Sequence, residues 1–148
     1  MNFRLQVHGT PAPQGSKIRT RYGMREASAG LMPWREAIVS EIIRLGWSDY
    51  HLSGPLQVEV VFSHKRLASH YGTRKGERYI KADAPKWMAS TPDIDKCLRS
   101  TFDALTQSGL IEDDKMIVAV QAFQRYSNDG FVGATIIVTP ITEGPPTP

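Results

Sequence analysis

Residues 91–118 read Thr91-Pro92-Asp93-Ile94-Asp95-Lys96-Cys97-Leu98-Arg99-Ser100-Thr101-Phe102-Asp103-Ala104-Leu105-Thr106-Gln107-Ser108-Gly109-Leu110-Ile111-Glu112-Asp113-Asp114-Lys115-Met116-Ile117-Val118. Ile94, Leu98, Phe102 and Leu105 recur at helical spacing, and Cys97 and Ala104 widen that stripe. Thr91 serves as N-cap, with Pro92 in the first helical position, where its missing N–H is no loss. Gly109 supplies the stop, able to take the left-handed conformation that ends many helices. Asp95 and Arg99 lie one turn apart on the polar side, as do Lys96 and Ser100, and Asp103 extends that side.

Asp93 and Asp95 open this helix, and Asp113 and Asp114 stand at the mouth of the next apolar run. If helix and run fold back on each other, four carboxylates meet, and such a cluster repels itself unless a cation sits in it. Mg²⁺ suits it, taking oxygen ligands and few protein groups. Each acid also has a plain explanation. Asp93 complements the helix dipole, worth ~0.3–1 kcal/mol, and Asp113-Asp114 makes a turn before a strand.

Working outward, the 148-residue chain is long enough for one domain with a real core, and its 41% hydrophobic and 22% charged residues are ordinary for a globular protein. No apolar run approaches the ~20 residues that span a bilayer. The N-terminus lacks a signal peptide's apolar block. The lone Cys97 excludes an internal disulfide and a Cys-rich zinc site, which points to the cytoplasm. The first 90 residues carry 14 Lys and Arg against 7 Asp and Glu, the remainder 4 against 8, so a basic half adjoins an acidic one. That distribution suits a polyanion brought to a metal site, or a solvated basic surface with no partner.

Phe3, Leu5 and Val7 alternate with polar residues, a half-buried strand with His8 at its end. Residues 9–16, rich in Gly and Pro, form neither helix nor central strand. Lys17, Arg19 and Arg21 alternate beside Tyr22, with Arg25 following. Extended backbone aims all three to one side, where they can follow a phosphate chain, or they belong to a mobile basic loop. Leu31, Trp34, Ile38, Ile42 and Leu45 predict a helix ended by Gly46, with Trp34 in the core. Leu56, Val58, Val60 and Phe62 predict a strand. Residues 64–90 hold no clean period. Lys65, Arg66, Arg74, Lys75, Arg78, Lys81 and Lys86 mark them as a mobile basic loop able to order on nucleic acid. Residues 116–123 form a strand, Asn128-Asp129-Gly130 a hairpin-like turn, and 131–138 its antiparallel partner. The expected fold is α+β, a mixed sheet of about four strands with two main helices packed on it, over residues 1–140. Residues 141–148 form a disordered tail.

With these residues in hand, the chain resembles the phage-encoded branch of the RusA-type Holliday-junction resolvases over nearly its whole length. The likeness rests on Asp93-Ile94-Asp95, Asp103-Ala104-Leu105-Thr106, Gly109 and Asp113-Asp114 in full spacing. Residues Gly9 to Lys17 and Pro33-Trp34-Arg35-Glu36-Ala37 add to it. The resemblance implies essential aspartates at Asp93, Asp95 and Asp114, with Asp113 as the first of the paired acids. It also implies a Mg²⁺-dependent homodimer (Mn²⁺ a possible substitute) acting on four-way junctions in the bacterial cytoplasm. Where the family has a catalytic Lys four residues after the D-x-D, this chain has Arg99, and Lys96 replaces an Asn. Arg keeps the charge but does not give up its proton. The expected mechanism holds one or two Mg²⁺ on Asp93, Asp95, Asp113 and Asp114. Arg99 and Lys96 clamp phosphate oxygens, and Lys17, Arg19, Arg21, Arg25, Lys65, Arg66, Arg74 and Lys75 hold the DNA arms. The alternatives are a non-catalytic junction-binding protein and a nuclease for other branched DNA.

Overall fold

Alternating burial in Phe3–His8 (β1), with Phe3, Leu5 and Val7 inside, fixes one face of a sheet against two helices. The computed structural model describes residues 1–15, 17–21, 23–26 and 29–142, and of 17–20 and 23–26 it describes the backbone. The expectations for Ser16, Tyr22 and a disordered 143–148 lie outside those residues. Lys17–Thr20 (β2) and Gly23–Glu26 (β3) pair antiparallel, so the extended basic segment is a small hairpin.

Helix α1 (Leu31–Arg44) buries Leu31, Trp34, Ile38 and Ile42, the stripe its spacing predicts. Leu56–His64 (β4) buries Leu56, Val58, Val60 and Phe62. Residues 64–90 correct the expected unstructured loop. After a single 3₁₀ turn, Tyr71–Arg74 (β5) and Glu77–Ile80 (β6) form an antiparallel ribbon. Its two-residue turn, Lys75 at φ 51° and Gly76 at φ 78°, has positive φ at both positions, as a type I′ hairpin requires.

Helix α2 (Ile94–Ser108) starts later than its sequence suggests. Asp93 is the N-cap residue, and Pro92 precedes the helix after a cis peptide bond. Gly109 ends it at φ 88°; a Cβ there would meet the Ser48 carbonyl oxygen at 2.1 Å. The buried stripe is also rotated: Cys97, Ser100, Thr101, Ala104, Leu105 and Ser108 are buried, while Ile94, Leu98 and Phe102 are only half-buried. Small residues let α1 approach closely. Trp34 Nε1 donates to Thr101 Oγ1 at 3.4 Å, and Ser100, expected on the polar side, donates to Ala12 O at 2.6 Å.

Ile117–Tyr126 (β7) and Gly133–Pro140 (β8) are not the expected hairpin. The sheet order is β1-β8-β4-β7, with β8 antiparallel to both β1 and β4, and β7 parallel to β4. The apolar content explains the placement. β8 buries Ala134, Ile136 and Val138 and takes the centre, whereas β7 leaves Val118, Val120 and Phe123 exposed and takes the edge. The α+β class, the four-strand mixed sheet and the two helices are as the sequence predicts. Ile141 N–H donates to Pro55 O at 2.9 Å, so chain expected to belong to the tail is still tied to the sheet. No helix is long and apolar enough to cross a membrane.

Candidate active site

The parallel β4–β7 pair requires a crossover, and residues 65–116 supply it, bringing α2 and the ribbon to one end of the sheet. Gln124 Nε2 donates to Pro92 O at 2.8 Å, which pins the approach to α2 against β7. Beside β7, Met88 N–H donates to Gln124 O at 3.0 Å and Tyr126 N–H to Lys86 O at 2.9 Å. These contacts frame a cavity of about 540 Å³ lined by Met88, Ala89, Ser90, Thr91, Asp93, Ile94, Asp95 and Gln124.

Both carboxylates of the sequence motif, Asp93 and Asp95, therefore share one cavity. Both are exposed, and Lys96 Nζ lies 3.8 Å from Asp93 Oδ2. Their charge, after burial, helps push the Cys97 thiol up to about 12, so Cys97 is a core residue and not a nucleophile. Arg99 is exposed and lies over Gly15, where a Cβ would come within 3.2 Å of its Nη1. Gln14 N–H donates to Lys96 O at 3.1 Å, which seats the segment leading to the β2–β3 hairpin along the first turns of α2.

Asp113 and Asp114 do not line this cavity. The Asp113 side chain accepts Lys115 N–H at 2.9 Å, which with a hydrogen bond to Asp114 lowers its pKa. The Asp114 pKa is raised, first by partial desolvation, then by that hydrogen bond and the charges of Asp113 and Asp103. The acids thus fall into two groups, and the expected convergence of four carboxylates is not formed. Among the described residues no three His, Cys, Asp or Glu side chains gather into one cluster. The Asp113 carboxylate turns instead to Lys115 N–H, and the charges that act on Asp114 are those of Asp113 and Asp103.

A metal ion of the Mg²⁺ type still suits the cavity. Such an ion is commonly held by one or two carboxylates and completes its shell with water and substrate phosphate. Gln124 also lines the wall, its Nε2 tied to Pro92 O and its side chain in contact with the buried His64. Sequence reasoning missed Gln124. The signal was a polar residue on the strand face that also carries Ala122 and the buried Tyr126.

The basic residues separate by burial. Lys65 is exposed at the end of β4, Arg74 and Lys75 are exposed at the ribbon tip, and Arg21 is exposed. The side chains of Lys17, Arg19 and Arg25 lie outside the described set. Arg66 is buried. It donates to Ser127 O at 2.8 Å, Pro85 O at 2.8 Å and Asn128 Oδ1 at 2.7 Å, so it braces the fold instead of facing DNA. His64 and His70 are also buried, and burial holds the His64 imidazole below its ordinary range against an opposing contact with Gln124.

None of the curated proteins compared with the chain matches it significantly. The family model described as Endodeoxyribonuclease RusA matches residues 8–139, a span that takes in β4, β7 and nearly all of β8, both helices and every acid discussed above. By that match the chain belongs to the RusA endodeoxyribonuclease family.

Proposed function

We propose that this protein is a divalent-metal-dependent, structure-selective DNA endonuclease that resolves Holliday junctions and related branched DNA. The observation that carries the reading is the Asp93–Asp95 pair opening into one cavity at the start of α2, in a chain of this family. Asp93 and Asp95 are the residues that would hold the cation. When bound, a divalent cation supplies positive charge to phosphodiester oxygens and acidifies water at neutral pH. Lys96 and Arg99, within one turn along α2, hold the non-bridging oxygens where charge develops. Arg99 stays charged at every working pH, so its part is to clamp and not to carry protons. Asp113 and Asp114, which the family resemblance adds to the metal set, lie outside the cavity wall, so the reading rests on the α2 pair. Arg21 and the exposed cations of the ribbon hold the arms through phosphates.

A homodimer would match the two-fold symmetry of a four-way junction and supply two sites for paired nicks. What supports it here is the outer edge of β7, where Val118 is 64% and Val120 48% exposed. Such an enzyme works in the bacterial cytoplasm, encoded by phage or prophage.

The test is a synthetic four-way junction incubated with Mg²⁺ or Mn²⁺. Wild type nicks it, and Asp95→Asn binds it without cleavage. Equal cleavage by the two proteins, or none by wild type with either metal, overturns the reading. Asp114→Asn, assayed alongside, tells whether the second acid group contributes. Tight, salt-sensitive binding without cleavage identifies a junction-binding module instead, and a panel of flaps and forks fixes the range of branched substrates.

A further inference from the structure

The β5–β6 ribbon has no buried face. Residues 73–80 are all exposed, and a lone two-stranded ribbon is marginal in water. Its pairing sets Tyr71, Thr73, Arg78 and Ile80 on one face and Gly72, Arg74, Glu77 and Tyr79 on the other. Each face carries one diagonal cation–aromatic stack. The Arg78 guanidinium lies 3.7 Å from the Tyr71 ring centre, and that of Arg74 lies 5.6 Å from Tyr79. Gly72 makes room for the second stack, since a Cβ there would come within 2.6 Å of the Tyr79 ring.

The root of the ribbon is fixed to the end of the sheet. Lys81 N–H donates to His70 O at 2.9 Å, and His70 packs edge-on against Tyr126 at 4.6 Å. A ribbon held at its base, with an arginine on each face and Lys75 at its tip, against the single acid Glu77, fits between two anionic walls. The major groove of B-DNA, about 12 Å wide, is such a space and admits a two-stranded ribbon. Stacking holds the guanidinium plane while leaving its N–H edge able to donate, the arrangement that pairs with O6 and N7 of guanine.

We propose that β5–β6 enters the major groove of a duplex arm, with Arg78, stacked on Tyr71, reading a guanine edge while Arg74 and Lys75 meet the flanking phosphates. This deepens the branched-DNA reading above and rests on it.

The experiment is dimethyl sulfate footprinting of guanine N7 on a four-way junction bound by the full-length protein, without divalent metal so that the DNA stays intact. Wild type protects guanines in the arms. Arg78→Ala loses that protection and binds about tenfold more weakly, with an unchanged melting temperature. Arg78→Lys, which keeps the charge but not the fork, fails to restore the protection. Wild-type binding without N7 protection, the same protection in Arg78→Ala, or its rescue by Arg78→Lys overturns the proposal and leaves the nuclease reading intact. No junction binding at all overturns both.

Discussion

Arg66→Ala tests the reassignment of a cation from DNA contact to the fold. The guanidinium makes three hydrogen bonds of 2.7–2.8 Å, to Ser127 O, Pro85 O and Asn128 Oδ1, and the residue is 6% exposed. Hydrogen bonds from a charged donor contribute about 1.5–3 kcal/mol each. Water entering the space left by truncation recovers part of this, because Asn128 is exposed and the site lies under a thin cover. A net loss of about 3–5 kcal/mol follows. For a chain of this size each kcal/mol moves the melting point by about 2–4 °C, so Tm drops by roughly 10 °C. Arg66 also touches His70 at the ribbon's root, with Nη1 3.4 Å from Nδ1. Amides of residues 71–80 and 86–88 therefore exchange faster in the variant than those of β1 and β8. Calorimetry and hydrogen exchange read both effects. Melting within about 2 °C of wild type, together with weaker junction binding, refutes the structural role and returns Arg66 to the DNA surface.

Three further outcomes are expected. His64 is held neutral by burial, so the unfolded chain binds a proton at higher pH than the folded one does. Its contribution is intact above the ordinary imidazole value of about 6.5 and is lost as pH falls through that value toward the folded one. In urea titrations between pH 7.5 and 5, about the range where imidazole changes charge, His64→Gln shows a flatter loss of stability than wild type. Gly109→Ala costs about 1–2 kcal/mol for the left-handed backbone, plus the displacement of the Ser48 carbonyl, measured as a lowered urea midpoint. Cys97, with its thiol pushed up to about 12, resists alkylation at pH 8 in the native state and reacts on unfolding, as mass spectrometry reads.

Periodicity made both helices and the strands at 3–8 and 56–62 legible, because each has one face turned to the core. It failed where tertiary contact overrode it. Asn128-Asp129-Gly130 says that the chain bends, but not that β4 lies between the strands on either side of the bend. Ser100 reads as polar surface and is buried, as are Thr101 and Ser108, because α1 comes close and the backbone accepts their hydroxyls. Arg66 read as a DNA cation because its acceptor Ser127 O lies 61 residues away in sequence. Lys75-Gly76 carried a turn signal masked by the surrounding charge. In the site, Asp93 and Asp95 were legible because one helix start fixes both. Whether Asp113 and Asp114 joined them depended on where β7 begins, which no local pattern encodes.

The central position of β8 bears on when the protein first becomes able to act. Residues 133–140 fill the gap between β1 and β4, so during synthesis those two strands emerge with no neighbour to join them. Only when the ribosome has released residue 140 and the stretch behind it does the sheet close and give α2 a surface to lie on. A nascent chain that has not yet threaded β8 into that gap therefore lacks the closed sheet beside which Asp93 and Asp95 are placed.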